Sequence, residues 1–99
     1  MSASKFSMLS GFNHNLKYKG KIYHVQTEDG GRENPMIITH IFLGGVILST
    51  VRTPYHDLLS LPDWEESLRA RMKVQHLEEV RRLFSGTFDP EVEDAGKDD

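Results

Sequence analysis

His24, Glu28 and His40 are the side chains best suited to hold a metal, because imidazole nitrogens and a carboxylate oxygen are donors that zinc and other divalent ions accept. His24 and Glu28 share one face of the strand-like phrase His24-Val25-Gln26-Thr27-Glu28-Asp29, and His40 belongs to a neighbouring strand. Spacing argues against one shared ion. Strand positions four apart lie about 13 Å from each other, so Glu28 would have to curl back from the following loop. Acid–base or nucleophilic chemistry needs a histidine beside a hydroxyl and a third group that orients the base, and His40 opposite Ser49 is the pairing this chain offers. No nucleophile elbow or paired-carboxylate motif accompanies it. Gly30-Gly31 and Gly44-Gly45 lack the strand, glycine loop, helix order of a phosphate cradle. A non-catalytic protein without a cofactor is expected, with a divalent metal such as zinc on His24, Glu28 and His40 as the alternative.

The same residues fit a recognition surface better. In Phe12–Tyr18 the apolar positions Phe12, Leu16 and Tyr18 alternate with Asn13, Asn15 and Lys17, the period of a half-buried strand. If Lys19-Gly20 is a two-residue hairpin turn, Tyr18 faces Lys21, Leu16 faces Tyr23 and His14 faces Val25 on the core side. Asn15 then meets His24 and Asn13 meets Gln26 on the other side. Asn13, Asn15, His24, Gln26 and Glu28 would form one outward surface, and a register slip of one residue would reverse every assignment.

These positions need a scaffold. Glu28–Pro35 is dense in turn formers and reads as the main loop. A second hairpin follows, with strands Met36–Leu43 and Val46–Val51 around Gly44-Gly45, expected to set Leu43 against Val46, Phe42 against Ile47, Ile41 against Leu48 and His40 against Ser49. Both of its faces are apolar near the turn, so they are covered by protein or left to bind something. Thr53-Pro54-Tyr55 breaks the last strand. A helix over Trp64–Phe84 is expected, opened by Asp63 as a capping residue with Glu66 three positions on, and closed by Ser85-Gly86. Leu68, Met72, Val80 and Leu83 form its apolar stripe, with Trp64, Leu77 and Phe84 at the margins and His76 inside it. Its charges are of both signs, the mark of a solvated face. At about 32 Å the helix exceeds a strand of about 17–20 Å, so part of it overhangs or meets a second chain.

With 99 residues, 37% of them hydrophobic, the chain suits one domain: a flexible segment at 1–10, an α+β domain at 11–88 and a disordered acidic tail at 89–99. A net charge of −3 gives no field for a nucleic-acid backbone. The absence of cysteine excludes a disulfide framework and a thiolate metal cluster. Neither a secretory signal nor a membrane-spanning run is apparent, and a cytoplasmic protein that meets neither nucleic acid nor membrane is expected.

The phrases Gly11-Phe12-Asn13-His14-Asn15, Tyr23-His24-Val25-Gln26-Thr27-Glu28-Asp29, Thr39-His40-Ile41-Phe42 with Gly44-Gly45, Arg71–His76 and Gly86-Thr87-Phe88-Asp89 resemble a small uncharacterised bacterial domain. The resemblance spans about Gly11 to Asp89. It implies that the histidine, Gln-Thr-Glu-Asp and Gln75-His76 phrases belong to one domain, and it implies no activity.

The expected architecture is a four-stranded antiparallel β-meander with one long C-terminal α-helix packed on one face. The expected function is that of a protein–protein interaction or regulatory adaptor module that self-associates as a homodimer. Its partner surface centres on Asn13, Asn15, His24, Gln26 and Glu28, and its oligomer contacts use Phe42, Ile47, Trp64, Leu77 and Phe84.

Overall fold

Two tight turns set the frame of the sheet. Lys19 and Gly20 adopt φ of 51° and 80°, and Gly44 and Gly45 adopt 60° and 82°. Positive φ at both central residues is the geometry that matches the right-handed twist of a hairpin, which is why glycine occupies three of these four positions. The computed structural model describes residues 10–97, with side chains to residue 94. The flexible segment expected at 1–10 therefore lies outside the described residues, Ser10 excepted.

Around the turns run β1 (Phe12–Tyr18), β2 (Lys21–Asp29), β3 (Met36–Leu43) and β4 (Val46–Pro54). They form one antiparallel sheet in the order β1-β2-β3-β4. A 3-10 turn, His56–Leu58, leads to α1 (Trp64–Phe84), and a second helix α2 spans Asp89–Lys97. The fold is α+β, with the long helix packed against the sheet.

The β1–β2 register places Tyr18 on Lys21, Leu16 on Tyr23, His14 on Val25, Asn15 on His24 and Asn13 on Gln26, as the alternation dictates. The second hairpin departs from expectation. Leu43 pairs with Val46 and Phe42 with Ile47, but Ile41 then faces Ser49 and His40 faces Thr50, because a bulge inserts Leu48 without a partner. Leu48 packs on the core and Ser49 reaches the helix, so both lie on the helix side of the sheet. β4 also continues to Pro54, beyond the expected end at Val51. It is an edge strand, where proline costs no ladder hydrogen bond.

α1 covers the face that carries Tyr23, Val25, Ile37 and Ile41, all buried. Two apolar clusters form there. Tyr23, Val25, Ile41, Leu83 and Phe88 make one, near the hairpin turns. Ile37, Tyr55, Leu58, Leu68 and Met72 make the other, with Phe12, Leu59 and Trp64 against it. The helix does not overhang as its length suggested. Its first turns pack on the 3-10 turn and its last on Tyr18 and Phe88, while the strands are seven to nine residues long, about 23–30 Å. Asp63 stands at the N-cap position, but its side chain makes no capping hydrogen bond.

The segment expected as a disordered acidic tail is helical over Asp89–Lys97. Val92 packs on the first cluster, and Asp89 accepts hydrogen bonds from Tyr18 (3.2 Å) and Lys19 (2.7 Å). A single apolar residue and one aspartate thus tie down a stretch whose composition looked wholly solvated.

Candidate functional site

The sheet face opposite α1 carries the residues that the alternation sends outward. On β1 and β2, His24 joins both strands: its Nδ1 lies 2.8 Å from Oδ1 of Asn15 and its Nε2 lies 3.1 Å from Oδ1 of Asn13. A doubly protonated ring donates to both oxygens; a neutral ring donates to one and accepts from the other carboxamide once that amide turns to offer its nitrogen. Gln26 donates from Nε2 to Oε2 of Glu28 on the same strand. On β3 and β4, Nδ1 of His40 lies 3.0 Å from Oγ1 of Thr50. Phe42 sits between the two histidines, 6.0 Å from the ring of His24 and 5.5 Å from that of His40.

Beside this polar group the same face bears exposed apolar side chains. Ile47, paired with Phe42, is 51% exposed, and Ile22 is 57% exposed. The outward surface is therefore an ordered amide and imidazole cluster bordered by Phe42, Ile22 and Ile47.

The five expected partner residues, Asn13, Asn15, His24, Gln26 and Glu28, do share this face. The metal set does not assemble. Among the described residues no group of three His, Asp or Glu side chains is placed to hold an ion. Glu28 is held by Gln26 and His40 by Thr50, so His24, Glu28 and His40 are each turned to a different neighbour. The expected His40–Ser49 pairing is replaced by His40–Thr50, a consequence of the bulge, and no third side chain among the described residues orients the far nitrogen of His40. That arrangement lacks the relay which nucleophilic catalysis requires.

The expected oligomer contacts fall on separate surfaces. Phe42 and Ile47 lie on the outer sheet face. Leu77, 44% exposed, lies on the solvent side of α1 with Val74, and Phe84, 47% exposed, packs edge-on against the ring of Tyr18. Trp64 packs on the second cluster, with the Arg32 guanidinium 5.3 Å from its ring centre. No single flat contact covers all five.

A second polar group escaped the sequence reading. Between the two apolar clusters, Thr27, Thr39, Gln75 and His76 are buried. His76 Nδ1 lies 2.8 Å from Thr27 Oγ1, Thr27 Oγ1 lies 2.7 Å from Thr39 Oγ1, and Gln75 donates from Nε2 to Thr39 Oγ1 at 3.0 Å. Gln75 Nε2 also lies 3.2 Å from the Val51 carbonyl and 3.4 Å from that of Ile37. At the far end, His76 Nε2 lies 2.8 Å from Nδ1 of His14 on β1. The layer thus links all four strands to the helix, and among the described residues no buried side-chain nitrogen or oxygen lacks a partner.

Glu79, expected on a solvated face, is buried one turn on, accepting from Ser49 Oγ at 3.0 Å and from Arg82 at 2.7 Å. Burial, and to a smaller degree the charge of His14, pushes the His76 imidazole below its ordinary 6.5. At the far end of the second cluster Tyr55 donates to Asp29 at 2.5 Å, and burial followed by that hydrogen bond drives the phenol well above its ordinary range. The signal for this layer was present: Thr27 and Thr39 share the strand phase of Val25 and Ile41, and Gln75-His76 fall on the helix phase of Met72 and Leu83.

No family model, no curated protein and no solved structure matches the chain. Fold and site together define a sheet-and-helix domain in which no helix among the described residues packs on the outer face of the sheet. Among the described residues no helix is long and apolar enough to cross a membrane.

Proposed function

We propose that this chain is a non-catalytic protein-interaction module, of the kind that serves as a regulatory adaptor, and that it binds through the outer face of its sheet and self-associates there. One observation carries the reading: α1 covers one side of the sheet, while the other presents an ordered polar cluster next to exposed Ile22 and Ile47. A surface of this composition, with paired amides and aromatic rings beside exposed apolar side chains, is what a protein partner desolvates at low cost. His24 held by two asparagines and Phe42 held between two histidines need little ordering on binding.

Light scattering at high micromolar concentration tests self-association. The proposal expects a mass above the 11.3 kDa of one chain. A strict monomer removes the self-association, and the adaptor reading then depends on a partner of a different sequence that loses affinity when Asn13, His24 and Gln26 are replaced by alanine.

A further inference from the structure

The buried layer has a direction, and Gln75 sets it. Its Nε2 lies among two backbone carbonyls and Thr39 Oγ1, a position that repels an amide oxygen, so Gln75 donates. Thr39 accepts from Gln75, and the acceptor its own hydroxyl has is Thr27, so it donates there and Thr27 donates to Nδ1 of His76. His76 carries its proton on Nε2 and donates to Nδ1 of His14, whose own proton sits on Nε2, the nitrogen not engaged by His76. With both rings neutral, this network allows each of them one tautomer.

An added proton cannot be accommodated without reversing this chain. On His76 it occupies Nδ1, so Thr27 must accept there and turn its hydroxyl to Thr39, whose own hydroxyl then loses its acceptor. On His14 it occupies Nδ1, which faces the N–H of His76, and the contact survives only if His76 shifts its proton to Nδ1, with the same reversal. A donor left without an acceptor between two apolar clusters is costly. His14 is exposed, so the proton has a route in, whereas His76 is 2% exposed.

The ionisable groups around His76 give no compensation. His14 faces it from β1, the residues that face it from β2 and β3 are Thr27 and Thr39, and on its own helix Glu79 is engaged by Ser49 and Arg82. Among the described residues β1 is an edge strand that pairs with β2 alone, and it meets the helix through Phe12, His14, Leu16 and Tyr18.

We propose that the His14–His76 contact is a proton-operated latch, which holds β1 against α1 while both rings are neutral and releases it when a proton enters the pair. Because β1 also carries Asn13 and Asn15, release would disorder half of the outer polar cluster; that consequence rests on the function proposed above, while the latch itself does not.

Nuclear magnetic resonance of the full chain tests it between pH 8 and pH 5. Ring nitrogen shifts at pH 8 should show His76 protonated at Nε2 and bare at Nδ1. As the His76 ring titrates, the amides of β1 should exchange roughly tenfold faster after correction for intrinsic rates, the effect of losing about one hydrogen bond, while those joining β3 to β4 keep their protection. His76→Gln should abolish the response and His24→Gln should preserve it. A His76 ring protonated at Nδ1 at pH 8, β1 protection that does not change with pH, or a response that follows the His24 ring would each overturn the latch. The ring shifts and the wild-type titration decide the matter even if His76→Gln does not fold.

Discussion

Gln75 concentrates the residue-scale argument, since one amide nitrogen serves the Val51 carbonyl and Thr39 and thereby orders the hydroxyls beyond it. Gln75→Leu keeps most of the volume but strands a buried carbonyl and breaks the hydroxyl chain. Urea denaturation should show a loss of about 1–3 kcal/mol, the cost of buried polar groups left without partners. Legibility differed between the two sides of the sheet. Asn13, Asn15, His24 and Gln26 could be placed on the outer face because strand alternation fixes them once a turn is identified. Thr27, Thr39 and Gln75 were passed over because a polar residue in a core phase looks like a break in the pattern until its partners, distant in sequence, are known.

The bulge in β4 decides more than its size suggests. Leu48 shifts the register by one, so that Ser49 meets Glu79 and Thr50 meets His40. Deleting Leu48 would leave an unbroken hairpin in which Ser49, Val51 and Thr53 keep their partners Ile41, Thr39 and Ile37 and their place on the helix side of the sheet. The expected outcome is a chain that still unfolds cooperatively on heating but at a lower temperature, since the first cluster loses the Leu48 side chain while every later β4 residue keeps its side. A deletion variant without a cooperative transition would show instead that the bulge itself is needed to seat β4 against α1. The sequence could not disclose the bulge, because two-residue turns around Gly44-Gly45 dictate register only as far as the ladder stays regular. The helix α2 was obscured for a related reason: its acidic composition points to solvent, and the Lys19–Asp89 ion pair together with Val92 on the first cluster anchors it through partners about 70 residues away.

At the scale of the whole molecule, proton linkage gives acid sensitivity in two stages. The folded state holds His76 below its ordinary 6.5, so the unfolded chain binds more protons as pH falls through that value. Stability should be greatest above about pH 7 and decline from there toward the depressed folded value, then level off once both states are protonated. Asp57, held down by Arg71, and Asp89, held down by Lys19, have folded values below their ordinary 3.8, and the stability they add should be lost as pH falls through them. Urea midpoints measured from pH 8 to pH 3 check both stages, and a midpoint unchanged between pH 7.5 and 5 would contradict the first. The four-stranded meander, the extent of α1 and the side of the sheet that each β1 and β2 residue occupies were legible from alternation and turns. The split of the expected oligomer residues between two surfaces was not, because periodicity says which residues are apolar and not which of them the fold leaves uncovered. Ile47 and Leu77 now separate the two possibilities, one on the outer sheet face and the other on the solvent side of α1. Sedimentation velocity of the wild type, Ile47→Asp and Leu77→Asp up to high micromolar concentration tests the central claim most directly. The account predicts self-association in the wild type, its loss in Ile47→Asp and its retention in Leu77→Asp; association that survives Ile47→Asp and disappears in Leu77→Asp would contradict it.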